Sequence, residues 1–377
     1  MKIAILKETI STEHRVAASP ETVKKLVGLG FSVFLEKSAG LAASIPDQQY
    51  EEVGAHIVKS RSDLLEGSQV ILKVRSPLTE ETELKDFPKG SLLICLCDIL
   101  QHPKHLKAYE KHGLSVLALE MIPRITRAQA MDVLSSQSNL SGYRAVLEAA
   151  TLFQRIFPMM MTAAGTLLPA KVFIIGAGVA GLQAIATAKR LGAVVSAYDV
   201  RPATKEQVES LGGTFVEVAV RGPTETTSGY AKEMTDDYKK QEKEKLAEVV
   251  KQADIVITTA LIPGRPAPLL ITEDMVHSMK SGSVVIDLAG ENGGNCALSK
   301  FGKVVDVNGV KIYAPQDLVS KLARDATDLY ARNIFNLMKL LYNETEKKVH
   351  LPLDDDIIKG ALLVKEGEIL RTDLMKE

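Results

Sequence analysis

The stretch Lys171-Val-Phe-Ile-Ile-Gly176-Ala-Gly-Val-Ala-Gly181 decides the fold, because it joins a short apolar run to a glycine-rich turn. The apolar run predicts a buried strand, and residues 182–191 predict a helix. The first glycine permits a tight turn, the second lets the backbone approach a pyrophosphate, and the third lets helix and strand pack closely. A G-x-G-x-x-G pattern is weak by itself, but between a strand and a helix it predicts dinucleotide binding.

A carboxylate at the end of the next predicted strand discriminates between the two pyridine dinucleotides. Asp199 stands 23 positions after Gly176, where a carboxylate accepts hydrogen bonds from a ribose diol and repels a 2′-phosphate. NAD(H) is therefore favoured over NADP(H). Arg201 could bind such a phosphate, but beside Asp199 we expect its guanidinium to lie over the adenine or in solvent. The cofactor-binding candidates of this region are Gly176, Gly178, Val179, Ala180, Gly181, Asp199, Val200 and Arg201.

Short apolar runs alternate with helical stretches along the 377 residues, a pattern typical of parallel sheets with crossover helices. The alternation occurs twice, so we predict an α/β protein of two doubly wound, Rossmann-like domains. A cleft between such domains is the usual place for a ligand. Strands are predicted at residues 3–6, 31–36, 56–58, 70–74, 91–97 and 114–119, and again at 172–175, 194–198, 214–218, 255–259, 283–287 and 310–313.

The domain boundaries follow from this alternation. Residues 1–135 are predicted to form the first domain, and residues 136–319 form the second, NAD(H)-binding domain. A long amphipathic helix at 317–342 is expected to cross back, so that residues 320–377 complete the first domain. One segment near 221–235 is small, polar and loop-like. Long loops inside compact domains often act as lids, so we expect a mobile lid there, the alternative being an insertion without function.

Composition and charge exclude several classes of protein. Lys and Arg (46) nearly balance Asp and Glu (47), which argues against a nucleic-acid binder or a polybasic membrane-surface binder. The three cysteines are too few for a disulfide framework, and Cys95 and Cys97 are expected to be buried thiols on one face of a strand. No apolar run forms a signal peptide or a membrane span, so a soluble protein in a reducing compartment is expected.

Two polar clusters are expected to hold no ligand. His102, His105 and His112 lack the accompanying carboxylates or thiolates of a metal site, so we expect surface residues and predict no metal. The acidic run at 354–356 is expected to be solvated, as single carboxylate runs near a terminus usually are.

A second polar constellation lies where the two predicted domains join. The segment Arg124-Ile-Thr-Arg-Ala-Gln129-Ala-Met-Asp132-Val-Leu-Ser135 carries polar residues at every third position from 129 to 135, near the start of a predicted helix. An exposed polar helix face would explain this spacing equally well. Its place at the junction, where a nicotinamide bound in the cleft would lie, favours a binding role.

Together these motifs resemble the NAD(H)-binding domain I of proton-translocating NAD(P) transhydrogenases, essentially from end to end. The resemblance rests on the segments at 123–139, 176–181 and 198–201, on Ser228-Gly-Tyr-Ala-Lys-Glu-Met and on Thr259-Ala-Leu-Ile-Pro-Gly264. It implies a cytoplasmic homodimer, with NADP(H) on a separate domain III and with a membrane domain II that carries the proton. The chain would be a separate subunit, attached peripherally to the inner membrane through these partners and nearly inactive alone.

The resemblance also implies roles for single residues. The positions around the nicotinamide and its ribose are Arg124, Gln129, Ala130, Met131, Asp132 and Ser135. Of these, Arg124, Asp132 and Ser135 are catalytic candidates that orient the ring, and Gln129 is the catalytic candidate that brings the two nicotinamides together. The remaining nucleotide-contact positions are Asp199 at the adenosine ribose, Gly229 and Tyr230 on the closing loop, Gln241 and Leu261.

Two alternatives to a transhydrogenase subunit remain, namely an alanine dehydrogenase and a non-catalytic regulatory module. Alanine dehydrogenases use a lysine in a Lys-Val-Lys-x-Pro motif and a histidine after a later strand, where this sequence has Arg75 and Asp98. Turning an amine into a ketone needs a group that titrates near neutral pH, whereas direct hydride transfer between nicotinamides needs none. The third hypothesis is a non-catalytic NAD(H)-binding regulatory module. The set at 124–135 argues against it, because a sensor could bind through the adenosine half alone.

Overall fold

A computed structural model describes residues 1–77, 83–218, 236–262 and 264–375 of the chain. It divides the chain into two units, which we call unit 1 (Met1–Gln137 with Ser320–Glu377) and unit 2 (Ser138–Val319). Each unit contains one large, mostly parallel sheet with helices between its strands. The predicted fold class, α/β with Rossmann-like halves, is confirmed.

Unit 1 begins with six strands that alternate with four helices. They are β1 (Lys2–Ile5), α1 (Pro20–Gly28), β2 (Ser32–Glu36), α2 (Asp47–Glu51), β3 (His56–Val58), α3 (Arg61–Leu65), β4 (Val70–Arg75), β5 (Leu92–Leu96), α4 (His105–Lys111) and β6 (Ser115–Ala118). Ser19 begins α1 because its side chain accepts a hydrogen bond from the Thr22 N–H, and Pro20 fits the first turn, where no N–H is needed.

The chain continues through α5 (Val133–Leu152) into unit 2. The elements of unit 2 are β7 (Met160–Thr162), β8 (Gly165–Leu167), β9 (Lys171–Ile175), α6 (Val179–Arg190), β10 (Val194–Tyr198), α7 (Thr204–Ser210), β11 (Thr214–Phe215), α8 (Asp236–Gln252), β12 (Ile255–Thr258), α9 (Glu273–Ser278), β13 (Val284–Asp287), β14 (Val304–Val307) and β15 (Val310–Tyr313). The sheet order is β11-β10-β9-β12-β13-β15-β14, with only β14 antiparallel. The strand predicted at 214–218 is shorter, because only Thr214 and Phe215 pair with β10.

The last segment of the chain returns to unit 1. It forms α10 (Ala323–Leu341), β16 (Tyr342–Asn343), β17 (Lys348–Val349), α11 (Asp356–Ala361), β18 (Leu362–Lys365) and β19 (Glu368–Ile369). The sheet of unit 1 has the order β19-β18-β6-β5-β4-β1-β2-β3, and β18 and β19 are antiparallel additions at its edge. The long helix predicted at 317–342 starts later, at Ala323, because Leu318–Leu322 forms a 3-10 turn.

Both sheets are covered on their two faces, and their central strands are buried and mainly apolar. In unit 1 the residues of β4 from Val70 to Val74 are buried, and α10 adds Tyr330 and Leu337 to the core on one face. Cys95 and Cys97 lie in the core on the other face as free thiols, with their Sγ atoms 3.6 Å apart, as predicted. None of the helices in the described segments of the chain has the length and apolar character that crossing a membrane requires.

Candidate dinucleotide site

The glycine turn of unit 2 has two glycines that are required by packing and one that faces open space. Gly176 has a φ of +99°, and an added Cβ would lie 2.5 Å from Thr259 Oγ1. A Cβ on Gly181 would overlap the carbonyl oxygen of Gly176. Gly178, the N-cap of α6, has no atom within 4 Å of its Cβ position. The backbone at Gly178 is therefore open to a ligand, while the other two glycines hold strand and helix together.

The start of α6 presents backbone donors beside this open glycine. The first N–H groups of a helix have no intrahelical acceptor, and no side chain caps them here. Thr259 stabilises the turn, because its Oγ1 donates a hydrogen bond to the Gly176 carbonyl oxygen at 3.0 Å. Gly142 in α5 allows the close approach of Ala180, whose carbonyl an added Cβ would overlap. The residues present therefore fit a bound pyrophosphate. Gly142 lies outside the sequence motifs, and the supporting role of Thr259, which begins one of them, was not predicted.

Asp199 follows β10 and is almost fully buried. Its Oδ2 accepts a hydrogen bond from the Ala177 N–H at 2.7 Å, and its Oδ1 accepts one from the Arg201 N–H at 2.9 Å. The guanidinium of Arg201 also donates to both oxygens, each at 2.8 Å. The expectation that the Arg201 guanidinium lies in solvent was therefore wrong for this structure, because a buried carboxylate two residues away offers it a bidentate ion pair. Its placement over a bound adenine stays a prediction.

In unit 1, the predicted polar helix face is interrupted at Asp132. Thr126–Met131 forms a 3-10 helix, Asp132 has extended backbone, and α5 begins at the next residue. The Asp132 carboxylate accepts hydrogen bonds from the N–H of Ser135 at 2.9 Å and from its Oγ at 2.5 Å. The spacing of three between these residues is thus the spacing of an N-cap and not that of one continuous helix face.

The segment that carries Gln129 is fixed to the C-terminal segment of unit 1. Asn333 and Asn336 of α10 both donate a side-chain hydrogen bond to the Ala130 carbonyl, at 2.9 and 3.0 Å. Arg127 makes a bidentate ion pair with Asp355, with both distances 2.8 Å. The expectation of a merely solvated acidic run at 354–356 was therefore wrong for Asp355, which also caps α11. These long-range partners leave no local pattern in the sequence.

The other candidates have different environments. Arg124, Gln129 and Ala130 are exposed, whereas Met131 is buried in the core of unit 1. In unit 2, Val179, Gln241 and Leu261 are exposed, and Val200 is half-buried. Gly229 and Tyr230, with the predicted lid near 221–235, lie outside the described residues. Ala260, which precedes Leu261, is held by Asn295, whose side chain donates to the Ala260 carbonyl and accepts its N–H.

A buried cluster of charges in unit 1 was not predicted. Glu13 accepts hydrogen bonds from Nε and Nη2 of Arg15, at 2.8 and 2.6 Å, and Arg15 Nη1 donates to Gln137 at 2.9 Å. Burial raises the pKa of Glu13, but the hydrogen bonds and charge of Arg15 outweigh burial and hold that pKa at about 2. Arg75 Nε contacts Glu13 at 3.2 Å, and its Nη1 lies 3.5 Å from Asp98 Oδ2.

The histidines of the predicted surface cluster differ in their exposure. His102 is exposed, and His105 is half-buried at the start of α4, so the expectation of surface histidines is only partly correct. The described residues contain no group of three or more His, Cys, Asp or Glu side chains that could hold a metal ion.

Two family models match the chain in succession. The model described as the N-terminal domain of alanine dehydrogenase/PNT matches residues 4–141, and the model described as the C-terminal domain matches residues 145–372. The predicted resemblance therefore extends over both units and includes the glycine turn and the Asp132–Ser135 cap.

Individual relatives agree with this match. A Rhodospirillum rubrum protein, named as the first portion of NAD(P) transhydrogenase subunit alpha, is 50% identical over 99% of both chains. A solved structure of transhydrogenase from Sinorhizobium meliloti has a TM-score of 0.89 at 45% identity and covers 98% of this chain and 100% of that one. An alanine dehydrogenase from Methanococcus maripaludis is 30% identical over 78% of this chain and 74% of its own length. The chain thus belongs to the alanine dehydrogenase/PNT family and resembles the transhydrogenase alpha subunits within it.

Proposed function

We propose that this chain is the NAD(H)-binding subunit of a proton-translocating transhydrogenase. It binds NADH and transfers a hydride directly to NADP⁺ held by a partner subunit, and a membrane subunit couples this transfer to proton translocation. The observation that carries the proposal is the similarity, along 99% of both chains, to the Rhodospirillum rubrum protein named for the transhydrogenase alpha subunit.

Unit 2 acts in this proposal as the NAD(H)-binding domain. The open backbone at Gly178 and the free N–H groups at the start of α6 bind the pyrophosphate. Asp199 binds the adenosine ribose and repels a 2′-phosphate, which gives the preference for NAD(H). NADP(H) is accordingly assigned to the partner subunit, in agreement with the expectation from the sequence.

Unit 1 supplies the residues that act at the nicotinamide. Arg124, Asp132 and Ser135 orient the dihydronicotinamide, and the exposed side chain of Gln129 guides its approach to the second nicotinamide. NADH supplies the hydride, so no protein acid or base is needed. Catalysis then rests on orientation, and holding two reacting groups at near-attack distance can supply about 7–11 kcal/mol of the barrier. The anchoring of this segment by Asn333 and by Asp355 supports such a positioning role.

The residues at the acid–base positions support this function over that of an alanine dehydrogenase. Arg75 and Asp98 stand where that family has lysine and histidine, and here they are close enough for an ion pair. An arginine does not lose its proton near neutral pH. Lys73 is buried, and its Nζ lies 3.5 Å from Glu8 Oε2, so it forms an ion pair within unit 1. Amine oxidation would therefore lack its general acid and base.

A homodimer is included in the proposal, and the hairpin of β7 and β8 supports it. Met161 and Leu168 are 77% and 68% exposed, and Met159 before the hairpin is 60% exposed. Antiparallel strands with apolar side chains on both faces have unfavourable contact with water unless a partner covers them. We assign this cover to a second copy of the chain. The membrane subunit and the NADP(H)-binding subunit complete the complex and attach this chain peripherally to the inner membrane.

One assay separates the three candidate functions. NADH oxidation is followed with pyruvate plus ammonium, then with NADP⁺, and then with NADP⁺ in the presence of the NADP(H)-binding partner protein. Oxidation only with the added partner supports the transhydrogenase subunit, because the chain alone is expected to be nearly inactive. Oxidation with pyruvate and ammonium would show an alanine dehydrogenase. NADH binding without oxidation under all conditions would show a regulatory module.

A further inference from the structure

The chain that leaves β12 is bonded at two consecutive residues before it reaches Leu261. Thr259 donates a hydrogen bond to the Gly176 carbonyl oxygen of the glycine turn at 3.0 Å. Ala260 makes two hydrogen bonds to the side chain of Asn295, one through its N–H and one through its carbonyl. The segment 259–261 is therefore tied to the glycine turn on one side and to the loop after β13 on the other.

Asn295 is fully buried, and its side-chain amide uses both of its polar atoms. Oδ1 accepts the Ala260 N–H at 3.1 Å, and Nδ2 donates to the Ala260 carbonyl at 2.9 Å and to the Pro268 carbonyl at 2.8 Å. An amide turned by 180° would place its oxygen against two carbonyls and its NH₂ against an N–H group. Only one orientation of Asn295 therefore satisfies its surroundings, and in it one side chain joins two separate stretches of backbone.

The backbone of Asn295 is itself fixed to the sheet of unit 2. Its N–H donates to Oδ2 of Asp287, the buried last residue of β13, at 2.9 Å. Its carbonyl accepts the N–H groups of Leu270 and Ile271, both at 2.9 Å. Asn295 is thus a rigid support between the strand end at Asp287 and the backbone at Ala260.

We propose that Asn295 is a positioning residue for dinucleotide binding, an inference that rests on the proposed NAD(H)-binding function. Asn295 holds the backbone of segment 259–261 beside the glycine turn before a nucleotide arrives. This segment carries the exposed Leu261, a predicted nucleotide-contact position. Ordering a backbone segment on binding is unfavourable, so a segment that is already ordered strengthens binding without a direct contact between Asn295 and the ligand.

Ser299 provides a matched control in the same loop. Its Oγ donates to Asp287 Oδ2 at 2.6 Å, and its N–H donates to the Cys296 carbonyl. None of the hydrogen bonds of Ser299 within the described residues goes to segment 259–261. Ser299→Ala and Asn295→Ala should both lower the stability of unit 2, because each removes a partner from a buried polar group. A role of Asn295 in stability alone would give both variants the same NADH affinity.

The first test is fluorescence titration of the full chain with NADH, which does not depend on turnover. Asn295→Ala should weaken NADH binding at least about tenfold, because the segment must then be ordered by the ligand. Ser299→Ala should stay within about twofold of wild type. With the partner protein present, Asn295→Ala should raise the KM for NADH and leave kcat within about twofold, whereas loss of folded protein lowers kcat alone.

Amide hydrogen exchange tests the preformed segment in the wild-type chain without nucleotide. The Ala260 N–H should exchange at least about 100-fold more slowly than an unstructured amide, because its acceptor is a buried side chain. Asn295→Ala should remove this protection. If Asn295→Ala does not fold, Asn295→Ser, which leaves a smaller polar side chain at this position, replaces it in both measurements with the same expected losses.

Three results would overturn the inference: a folded Asn295 variant that binds NADH as tightly as wild type, an equal loss of affinity in Ser299→Ala, or free exchange of the Ala260 amide in wild type. Failure of the proposed function looks different. In that case wild type binds no NADH, although its Ala260 amide is still protected.

Discussion

The carboxylate of Asp132 accepts both hydrogen bonds that Ser135 donates, from its N–H at 2.9 Å and from its Oγ at 2.5 Å. This relationship makes Asp132 the N-cap of α5 at the point where the segment carrying Gln129 enters the helix. The same two residues are proposed to orient the nicotinamide. A ligand that bonds to them therefore binds to a preformed pair, whose orientation the cap has already fixed.

Replacement of Asp132 should separate the capping role from the charge. Asp132→Ala should lower the free energy of unfolding by about 1–2 kcal/mol, because the N–H of Ser135 loses its acceptor. Asp132→Asn keeps one acceptor oxygen and should cost less than about 0.5 kcal/mol. Urea denaturation of both variants measures these differences. Equal losses of about 1–2 kcal/mol in both variants would assign the stabilisation to the charge of Asp132 and not to its acceptor oxygens.

Alanine substitutions at two glycines of the same turn should have different effects, one on stability and the other on NADH affinity. Gly181→Ala places a Cβ on the Gly176 carbonyl and should destabilise unit 2 by about 1–3 kcal/mol or more. Gly178→Ala meets no atom, so stability should change by less than about 1 kcal/mol. Its Cβ fills the space proposed for the pyrophosphate, and NADH affinity should fall at least about tenfold. Thermal unfolding of each variant measures the change in stability, and NADH titration measures the change in affinity. Unchanged NADH affinity in Gly178→Ala would remove this turn from the nucleotide site.

Gln129 should affect the rate of hydride transfer more than NADH binding. Gln129→Asn shortens the exposed side chain by one methylene, and turnover with the partner protein should fall at least about tenfold, since small misplacements cost large rate factors. NADH affinity should stay within about twofold, because the pyrophosphate and ribose contacts are unaffected. Thr126→Ala, in the same exposed 3-10 turn, is the control with wild-type turnover. Wild-type turnover in the Gln129 variant would exclude this residue from the mechanism.

The stability of unit 1 should depend on pH through Glu120. Burial raises the pKa of Glu120 to about 7, although the N–H groups of Cys97 and Ile99 lower it by bonding to the carboxylate. Between about pH 5 and pH 7 the unfolded carboxyl is ionised and the folded one is protonated, so stability falls as pH rises. Over these two pH units the loss is about 2 kcal/mol. Urea denaturation at both ends of this range should show a loss in wild type that is smaller by about this amount in Glu120→Gln. Parallel pH profiles would contradict the raised pKa.

Several strands were predictable from the sequence. β3, β10 and β15 have the predicted bounds, although β3 is partly exposed and Ser196 and Lys311 interrupt the apolar residues of the other two. The glycine turn was also predictable, because close packing of strand and helix needs glycine at fixed positions. The resemblance to transhydrogenase alpha subunits is confirmed by relatives that match both units.

Features that depend on distant partners were not predictable. β18 joins the sheet by pairing with β6, about 245 positions earlier, so no local pattern indicates it. The hairpin of β7 and β8 was missed because its apolar residues are exposed and do not alternate. At Asp132 a spacing of three fits both a helix face and an N-cap, and only the backbone distinguishes them. The sequence shows the opposite charges of Asp199 and Arg201 two positions apart, but it does not show that they form a bidentate ion pair.

An isotope measurement can follow the proposed direct hydride transfer from NADH on this chain to NADP⁺ on another protein. NADH deuterated at the transferred position of C4 is mixed with NADP⁺, this chain and the NADP(H)-binding partner. Mass spectrometry then measures the deuterium content of the NADPH that forms. Direct transfer retains the deuterium in NADPH, and no NADPH should form without the partner. Loss of the deuterium to water, or oxidation of NADH by pyruvate and ammonium with this chain alone, would contradict it.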